Sequence, residues 1–453
     1  MIGIGIWVFA LYILFIVCWS TAVKRDVSEA MALGFLLSCA FSGREMPTVL
    51  WESLKSAFSS SVMYAIMLFT FMSAVVTQTG IIGRLVDILN SLLGKVRGGP
   101  AYISACASAL FGLIAGSGTG NAAAVGSITI PWMKQTGWPD HVAATMNAGN
   151  AGLGIAMPPS TPMLLMAGVP VVAQAVSVGD LYLALICCGL WTLLYRFLLI
   201  RYYVKRYHIP PLANDQVCPL KDSLRRGGTS LTMFLGCVIP ILLTAGPLSR
   251  HLAEVESFGE AAVGAISVIV WVPVLITAIC LVEGRRYLPK TGKEWADLLR
   301  KTRKTCADVG GMSFFALAGS HALSVAGFGA DTKELLGSLS LPAPVMVLLV
   351  GGIITLAAGP MNASATIVAL GAVSYSALVE AGIAPLNAVA AILLFASTEG
   401  ASPPSSAPIF ISCSIAGIKE VTVTFKPLIF HYVFPIVGIG ILIAYGFLPI
   451  AGG

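Results

Sequence analysis

The sequence predicts an all-α polytopic membrane protein built from two repeats of opposite orientation in the membrane. Composition is the first reason: 57% of the 453 residues are hydrophobic and 11% are charged, whereas about one-quarter of the residues of a soluble domain are charged. The second is a series of apolar segments about 20 residues long, the length of a helix that crosses a bilayer. The third is a pattern of glycine and proline breaks that occurs once in each half.

The apolar segments predict membrane-spanning helices, because backbone amides in lipid find hydrogen-bond partners only within the protein. The clearest of these segments lie at residues 4–21, 59–77, 181–200, 231–245, 261–281 and 428–449. Shorter apolar segments, rich in glycine and proline, lie between them.

The positions of the basic residues predict the orientation. The net charge of +6 could suggest a nucleic-acid partner, but most of the 27 Lys and Arg residues fall in a few loops. If the amino terminus lies outside, those loops are cytoplasmic and four basic residues face outward, namely Arg44, Lys55, Arg250 and Lys333. This arrangement obeys the positive-inside rule only if two segments enter the membrane and return to the same side. We therefore expect a multi-pass inner-membrane protein with two re-entrant hairpins, surrounded by the lipid bilayer and without a nucleic-acid partner.

The first half carries three successive breaks. Gly-Ser-Gly-Thr-Gly-Asn occupies residues 116–121, Gly-Trp-Pro occupies 137–139, and Met-Pro-Pro-Ser-Thr-Pro occupies 157–162. We expect a hairpin at about residues 100–134 and an interrupted helix at about 139–175, because a proline pair cannot continue a helix.

The second half repeats this order. Gly-Pro-Met-Asn occupies residues 359–362, Gly-Ile-Ala-Pro occupies 382–385, and Ser-Pro-Pro-Ser-Ser-Ala-Pro occupies 402–408. The matching spacing predicts a second hairpin at about 342–380 and a second interrupted helix at about 385–418. Interrupted helices at bilayer depth are tolerated where they line a cavity or lie within protein, and there they bind ions and polar solutes.

A polar segment at residues 205–228 separates the two repeats and is expected to be a cytoplasmic linker. The first repeat then covers residues 1–204 and the second covers 229–453. Each repeat has an odd number of predicted crossings, so the second copy must insert upside down, which is an inverted-repeat topology.

The hairpin tips and helix breaks are rich in neutral oxygens. Ser117, Gly118 and Asn121 can present carbonyl and side-chain oxygens, which favour hard cations such as Na⁺, although a tight turn for helix packing explains the same residues. Helix amino termini after each break favour a carboxylate. Glu399 lies just before the second break. Its carboxylate could bind a cation, carry a proton or form structural hydrogen bonds, and the sequence leaves these alternatives open.

The sequence resembles a known family in several of these stretches. They are Leu-Phe-Gly-Leu-Ile-Ala-Gly-Ser-Gly at 110–118, Ala-Ala-Ala-Val-Gly-Ser-Ile-Thr-Ile-Pro at 122–131, Gly-Ile-Ala-Met-Pro-Pro-Ser-Thr-Pro-Met at 154–163, Ser-Pro-Pro at 402–404 and Ile-Phe-Ile-Ser-Cys-Ser-Ile-Ala-Gly at 409–417. On these residues the chain resembles the large membrane subunit of tripartite ATP-independent periplasmic (TRAP) transporters, within the ion-transporter superfamily. The resemblance implies a secondary active transporter of the elevator type, in which a transport domain holding both hairpins and both interrupted helices slides against a scaffold domain.

The resemblance also implies two Na⁺ sites, each formed by a hairpin tip and a helix break. The residues at the first site would be Ser117, Gly118, Asn121 and Met157, and those at the second would be Gly359, Met361, Asn362 and Ser402. The hydroxyl-bearing candidates for substrate binding are Ser160, Thr161, Ser364, Ser405 and Ser406.

The partners implied by the resemblance are a small membrane subunit and an extracytoplasmic binding protein that delivers an organic acid. An alternative is a stand-alone Na⁺-coupled carboxylate symporter or cation antiporter of the same superfamily. A membrane enzyme or channel is disfavoured because the ionisable residues within apolar segments are few and scattered, and ATP hydrolysis because no Gly-x-x-x-x-Gly-Lys-Ser/Thr sequence occurs.

Overall fold

A computed structural model describes residues 3–21, 23, 27–115, 117–210, 219–244, 251–252, 254–255, 267–328, 330–331, 334, 341–403 and 406–452. Within these ranges helices are the only regular secondary structure, which confirms the predicted all-α architecture. Gly116, Pro404 and Ser405, which belong to the predicted motifs, lie outside the described residues.

Helices from both halves form one outer group. Its members are Ile4–Thr21, Val27–Ala40, Met46–Ser59, Ser61–Gln78, Leu235–Thr244, Val268–Glu283 and Gly292–Val325. The long helix Gly292–Val325 packs against Val27–Ala40, Met46–Ser59 and Ser61–Gln78. Val268–Glu283 packs against Ser61–Gln78 and Leu235–Thr244. The outer group therefore joins the two halves through apolar helix contacts.

Two pairs of adjacent helices form helical hairpins. The first consists of Gly99–Ala115 and Gly118–Gln135, and the second of Ala343–Met361 and Ala363–Glu380. Within each hairpin the two arms pack against each other, and only one or two residues lie between them in the sequence. The short connections place the small and polar residues of each motif at the tips.

Both predicted interruptions are present. In the first interrupted helix, Asp140–Ala151 and Leu153–Ala156 precede a non-helical segment at 157–160, and Thr161–Ala167 follows it. In the second, Pro385–Ala396 continues into a 3₁₀ turn, Ser397–Ala401, and Ala407–Ala416 follows the break. Thr161 and Ala407 each precede a proline at the second position of their helix, where its missing N–H costs no hydrogen bond.

The remaining helices connect these units. They are Ile81–Leu93, Pro170–Ala173, Val178–Arg206, Leu220–Gly227, Phe425–Leu428 and Phe434–Ala444, with 3₁₀ turns at Gly43–Glu45, Gly228–Phe234 and Val421–Thr424 and a π-helical turn at Ile429–Val433. In the described part of the chain, five helical segments are long and apolar enough to cross a membrane, namely Ser61–Gln78, Val178–Arg206, Leu220–Thr244, Ala363–Glu380 and Val421–Ala444.

The two interrupted helices form the centre of the protein. Every residue from 142 to 160 and from 388 to 402 is buried. They approach at glycines: a β-carbon on Gly400 would lie 2.7 Å from the carbonyl oxygen of Ala148 and 2.8 Å from the backbone nitrogen of Gly152. Only residues without a side chain permit this distance. The breaks are therefore enclosed by protein.

The second arm of each hairpin packs against the opposite repeat. Gly118–Gln135 contacts Ala407–Ala416, which follows the second break. Ala363–Glu380 contacts Thr161–Ala167, which follows the first break. This reciprocal exchange brings both tips and both breaks into one region.

We expect Gly400→Ala to destabilise the protein by about 1–3 kcal/mol, because the new methyl group would overlap backbone atoms that cannot move independently. Thermal unfolding of the purified protein in detergent measures the change. Gly438→Ala is the matched control, since no atom lies within 4 Å of a β-carbon there. Equal unfolding temperatures for the two variants would contradict the close crossing.

Candidate functional site

The first hairpin tip faces the first interrupted helix. Ser117 caps the second arm by accepting a hydrogen bond from the backbone N–H of Gly120 (3.3 Å). Asn121 is fully buried, and its amide nitrogen donates to the carbonyl oxygen of Ser108 (2.7 Å). A β-carbon on Gly154 would lie 2.8 Å from that amide nitrogen and 3.1 Å from the Ser117 carbonyl oxygen. The absence of a side chain at position 154 thus lets the tip reach the helix before the break.

The Asn121 side-chain oxygen has no hydrogen-bond donor among the described residues, although it is buried. An unpaired buried oxygen is unfavourable, by about 1–3 kcal/mol in mutational data. A hard cation that takes oxygen ligands would satisfy it. Gly118 is buried beside it, whereas Ser117 is exposed.

Met157 and Ser160 border the first break. Met157 is 5% exposed and packs with Ala109 and Leu153, so its side chain is part of the apolar packing. Ser160 accepts a hydrogen bond from the backbone N–H of Met163 (3.3 Å) and thereby caps the helix after the break. The backbone at Met157 is extended, which frees its carbonyl group from the helical hydrogen-bond pattern.

The second tip has an unusual backbone conformation. Asn362 has φ 64° and ψ 163°, a region that is almost exclusive to glycine. Its side-chain oxygen accepts from the backbone N–H of Ala365 (3.0 Å), and its carbonyl oxygen accepts from the Thr366 hydroxyl (2.7 Å). The Asn362 oxygens are therefore already engaged, in contrast to that of Asn121.

The second tip meets the second break at Gly359 and Ser402. A β-carbon on Gly359 would lie 3.0 Å from the carbonyl oxygen of Ser402. The Ser402 hydroxyl donates to the carbonyl oxygen of Thr398 (2.8 Å). The backbone of Met361 ends the first arm, and its side chain lies outside the described part of the structure.

Glu399 connects the two tips. Its Oε2 accepts a hydrogen bond from the backbone N–H of Ala363 at the second tip (2.8 Å). Its Oε1 lies 3.4 Å from the position of a β-carbon on Gly118 at the first tip. The side chain is 6% exposed. Sequence reasoning singled out Glu399 and left its role open, whereas the structure places its carboxylate between the two candidate sites.

The candidate substrate residues differ in accessibility. Ser160 and Ser406 are buried, and the Ser406 hydroxyl donates to the Glu399 carbonyl oxygen. Thr161 and Ser364 are half-buried. Ser405 lies outside the described residues. In this conformation only Thr161 and Ser364, of the four that are described, present accessible surface.

Asn147 and Arg196 are buried polar residues that sequence reasoning missed. The Asn147 amide nitrogen donates to the carbonyl oxygen of Ala122 (3.0 Å) and to the Ser412 hydroxyl (2.8 Å), so Asn147 ties the first hairpin to the second interrupted helix. Arg196 is 1% exposed, donates to the Gly149 carbonyl oxygen (3.0 Å) and lies 4.2 Å from the ring centre of Tyr432. A basic residue inside an apolar helix is the sequence signal that could have identified Arg196.

The site therefore offers oxygen ligands and one carboxylate. Within the described ranges, no three His, Cys, Asp or Glu side chains converge on a metal position. The donor set, which consists of peptide carbonyls, an amide oxygen and hydroxyls, fits a hard monovalent cation better than zinc or copper. Asn121, with its unpaired oxygen, is the residue that fits best.

The chain matches a family model over residues 6–447, and that model describes the DctM component of the tripartite ATP-independent periplasmic transporter. The chain belongs to this family. It is therefore a multi-pass inner-membrane protein and a transporter permease, not an enzyme.

Named relatives agree with the family. The C4-dicarboxylate TRAP transporter large permease DctM of Pseudomonas aeruginosa is 26% identical over 388 residues, which cover 85% of this chain and 84% of the relative. The DctM protein of Rhodobacter capsulatus is 24% identical over 80% of this chain and 81% of its own length. An ectoine TRAP permease, TeaC of Halomonas elongata, is 25% identical over 37% of the chain and 38% of its own length.

Solved structures share the fold. The YdaH transporter of Alcanivorax borkumensis has a TM-score of 0.67 and 17% identity, with coverage of 89% of this chain and 88% of its own. MtrF of Neisseria gonorrhoeae has a TM-score of 0.65 and 14% identity, with coverage of 91% and 87%. The DctM-family chain thus shares its architecture with transporters of very different sequence.

We expect Glu399→Gln to leave the thermal stability nearly unchanged, because the amide oxygen can still accept from Ala363. Glu399→Ala should lower the free energy of unfolding by about 1–3 kcal/mol, since it leaves that buried N–H unpaired. Thermal unfolding of the purified variants tests this difference. Equal stability of the Ala variant and wild type would show that the hydrogen bond has no structural role.

Proposed function

We propose that this DctM-family permease imports an organic acid together with Na⁺, by an elevator movement of the unit that holds the hairpins and interrupted helices. The observation that carries the proposal is the position of Glu399, which accepts a hydrogen bond from Ala363 at the second tip, lies beside Gly118 at the first tip and bonds Ser406 at the second break. Such a convergence of irregular backbone at bilayer depth is typical of substrate and ion sites in secondary transporters.

Na⁺ as the coupling ion is supported by the chemistry of the donors. The first site offers the unpaired Asn121 oxygen and the carbonyl oxygen of Ser117. The second offers backbone carbonyls near Gly359 and Ser402, with the Glu399 carboxylate next to them. A negative charge in a buried site favours cations electrostatically. We therefore assign two cation positions, one at each tip.

An organic acid as the substrate is supported by the relatives. The permeases of Pseudomonas aeruginosa and Rhodobacter capsulatus are named for C4-dicarboxylates. Ser160 and the residues after it begin a helix that follows the first break, and amides at a helix amino terminus favour anions. Thr161 and Ser364, which are half-buried, are the proposed contacts for the substrate.

Two partners follow from membership in a tripartite system, namely a small membrane subunit and an extracytoplasmic binding protein. The alternative is a stand-alone symporter or antiporter. YdaH and MtrF, which share the fold, are named as a transporter and as an efflux pump.

Asn121→Ala and Asn362→Ala should each raise the Na⁺ concentration for half-maximal uptake by roughly tenfold. Asn121→Ala removes a buried oxygen at the first proposed cation position, and Asn362→Ala removes the side chain that caps the helix at the second tip. Uptake of radiolabelled organic acids into vesicles, measured over a series of Na⁺ concentrations, gives this value. Asn387→Ala is the control, since its amide bonds the Ile443 carbonyl oxygen away from both tips (2.6 Å). An unaltered Na⁺ dependence in both tip variants would refute the assigned positions.

Uptake should require the binding protein. We expect vesicles that contain only the two membrane subunits to accumulate no organic acid, and addition of the cognate binding protein to restore Na⁺-dependent uptake. Transport by the purified large subunit alone, at a rate that the binding protein leaves unchanged, would favour the stand-alone alternative.

A further inference from the structure

A strongly cationic cavity lies apart from the tips and breaks. Its volume is about 450 Å³. The charged residues that line it are Arg84, Arg225, Arg226, Glu283, Arg285 and Arg286. Five arginines face one glutamate, a formal excess of four positive charges. Nothing in the proposed transport cycle uses this cavity.

Three separate segments build the cavity. Arg84 belongs to the amphipathic helix Ile81–Leu93, Arg225 and Arg226 end the helix Leu220–Gly227, and Arg285 and Arg286 follow the helix Val268–Glu283. Leu220–Gly227 packs directly against Ile81–Leu93. The fold thus concentrates basic residues that lie up to 200 positions apart in the chain.

Arg84 is held in place at the base of the cavity. Its Nε donates to the Ser230 hydroxyl (2.7 Å), its Nη1 donates to the Thr79 carbonyl oxygen (3.3 Å), and its Nη2 lies 3.8 Å from Glu283. The guanidinium also lies 5.0 Å from the ring centre of Tyr287. Its Nη2 is buried without a hydrogen-bond acceptor in the described residues.

The single carboxylate of the cavity pairs with Arg84, and it does not neutralise Arg225, Arg285 or Arg286. Glu283 accepts a hydrogen bond from the Thr229 hydroxyl and pairs with Arg84. Arg225, Arg285 and Arg286 are exposed, and no ion pair involves them within the described ranges. Like charges held this close repel each other, so an anionic ligand would be attracted to them.

Apolar surface adjoins the cavity. Val282 lines it and is 72% exposed. Leu231 and Leu235, which lie near the start of the neighbouring helix, are also exposed. A cluster of arginines suits the phosphate of a phospholipid, and the exposed aliphatic side chains beside it suit the acyl chains. The positive-inside rule places these loops on the cytoplasmic side, where anionic lipids attract basic side chains.

We propose that this arginine cavity binds the phosphate of an anionic phospholipid, with the acyl chains along Val282 and Leu235. Guanidinium groups form paired hydrogen bonds with phosphate oxygens, which a lysine cluster does not. The bound lipid would hold the amphipathic helix Ile81–Leu93 against the loop after Val268–Glu283. A soluble phosphate compound is the competing source of the same chemistry.

The test uses the full-length purified protein with nanodiscs or detergent micelles that contain fluorescent phosphatidylglycerol or phosphatidylcholine. Arg285→Gln/Arg286→Gln should weaken phosphatidylglycerol binding by roughly 25-fold, since each basic side chain at an anionic surface contributes about fivefold in affinity. Lys293→Gln/Arg303→Gln is the matched control, because it removes two exposed charges outside the cavity. Glycerol 3-phosphate serves as the soluble competitor.

Selective loss of phosphatidylglycerol binding in the cavity variant, with the control unchanged and the competitor ineffective, supports the proposal. Equal losses in both variants would overturn it, because the attraction would then be unspecific. Displacement of the lipid by glycerol 3-phosphate at similar concentration would assign the cavity to a soluble ligand instead. Unchanged lipid binding together with lost association of the small subunit would assign it to a protein contact.

Discussion

The structure depends on the need to satisfy backbone groups where helices are interrupted. A helix that stops in mid-membrane leaves amides and carbonyls without partners, and lipid cannot supply them. The chain solves this by burying both breaks in its own centre, where every residue from 142 to 160 and from 388 to 402 is enclosed. Glycines make the burial possible, since Gly152 and Gly400 let the two backbones touch. The freed carbonyls are therefore enclosed by protein.

The two tips differ in how they use their asparagines. At the first tip the Asn121 side-chain oxygen has no hydrogen-bond donor in the part of the chain that the structure describes, while at the second the Asn362 oxygens accept hydrogen bonds from the following helix. Glu399 compensates for this difference, because its carboxylate reaches the second tip through Ala363 and the first through Gly118. Two sites that the sequence repeat makes similar are thus unequal in chemistry. Glu399 is the side chain that lies close to both tips.

Local sequence signals were sufficient to predict that the chain contains hairpins and interrupted helices. Proline pairs and glycine-rich turns act within a few residues, so Pro158 and Pro403 indicated the interruptions directly. The same signals could not show that Gly400 touches Ala148 or that Glu399 reaches Ala363, because such contacts join segments distant in sequence. The helix Met46–Ser59 was not among the predicted spans, because it is short and carries Glu52 and Lys55. No sequence pattern marked Asn147, because its hydrogen bonds to Ala122 and Ser412 join segments that are distant in the sequence.

Arg196 and Glu399 are opposite charges that are both sealed within the protein. Arg196 lies on Val178–Arg206, and this helix packs against Pro385–Ala396 of the second interrupted helix, which leads to Glu399. If the two helices move as one unit in the proposed elevator, the two charges cross the same part of the membrane potential. A cation and an anion that move the same distance perform no net electrical work. This pair would then add nothing to the current that accompanies each cycle.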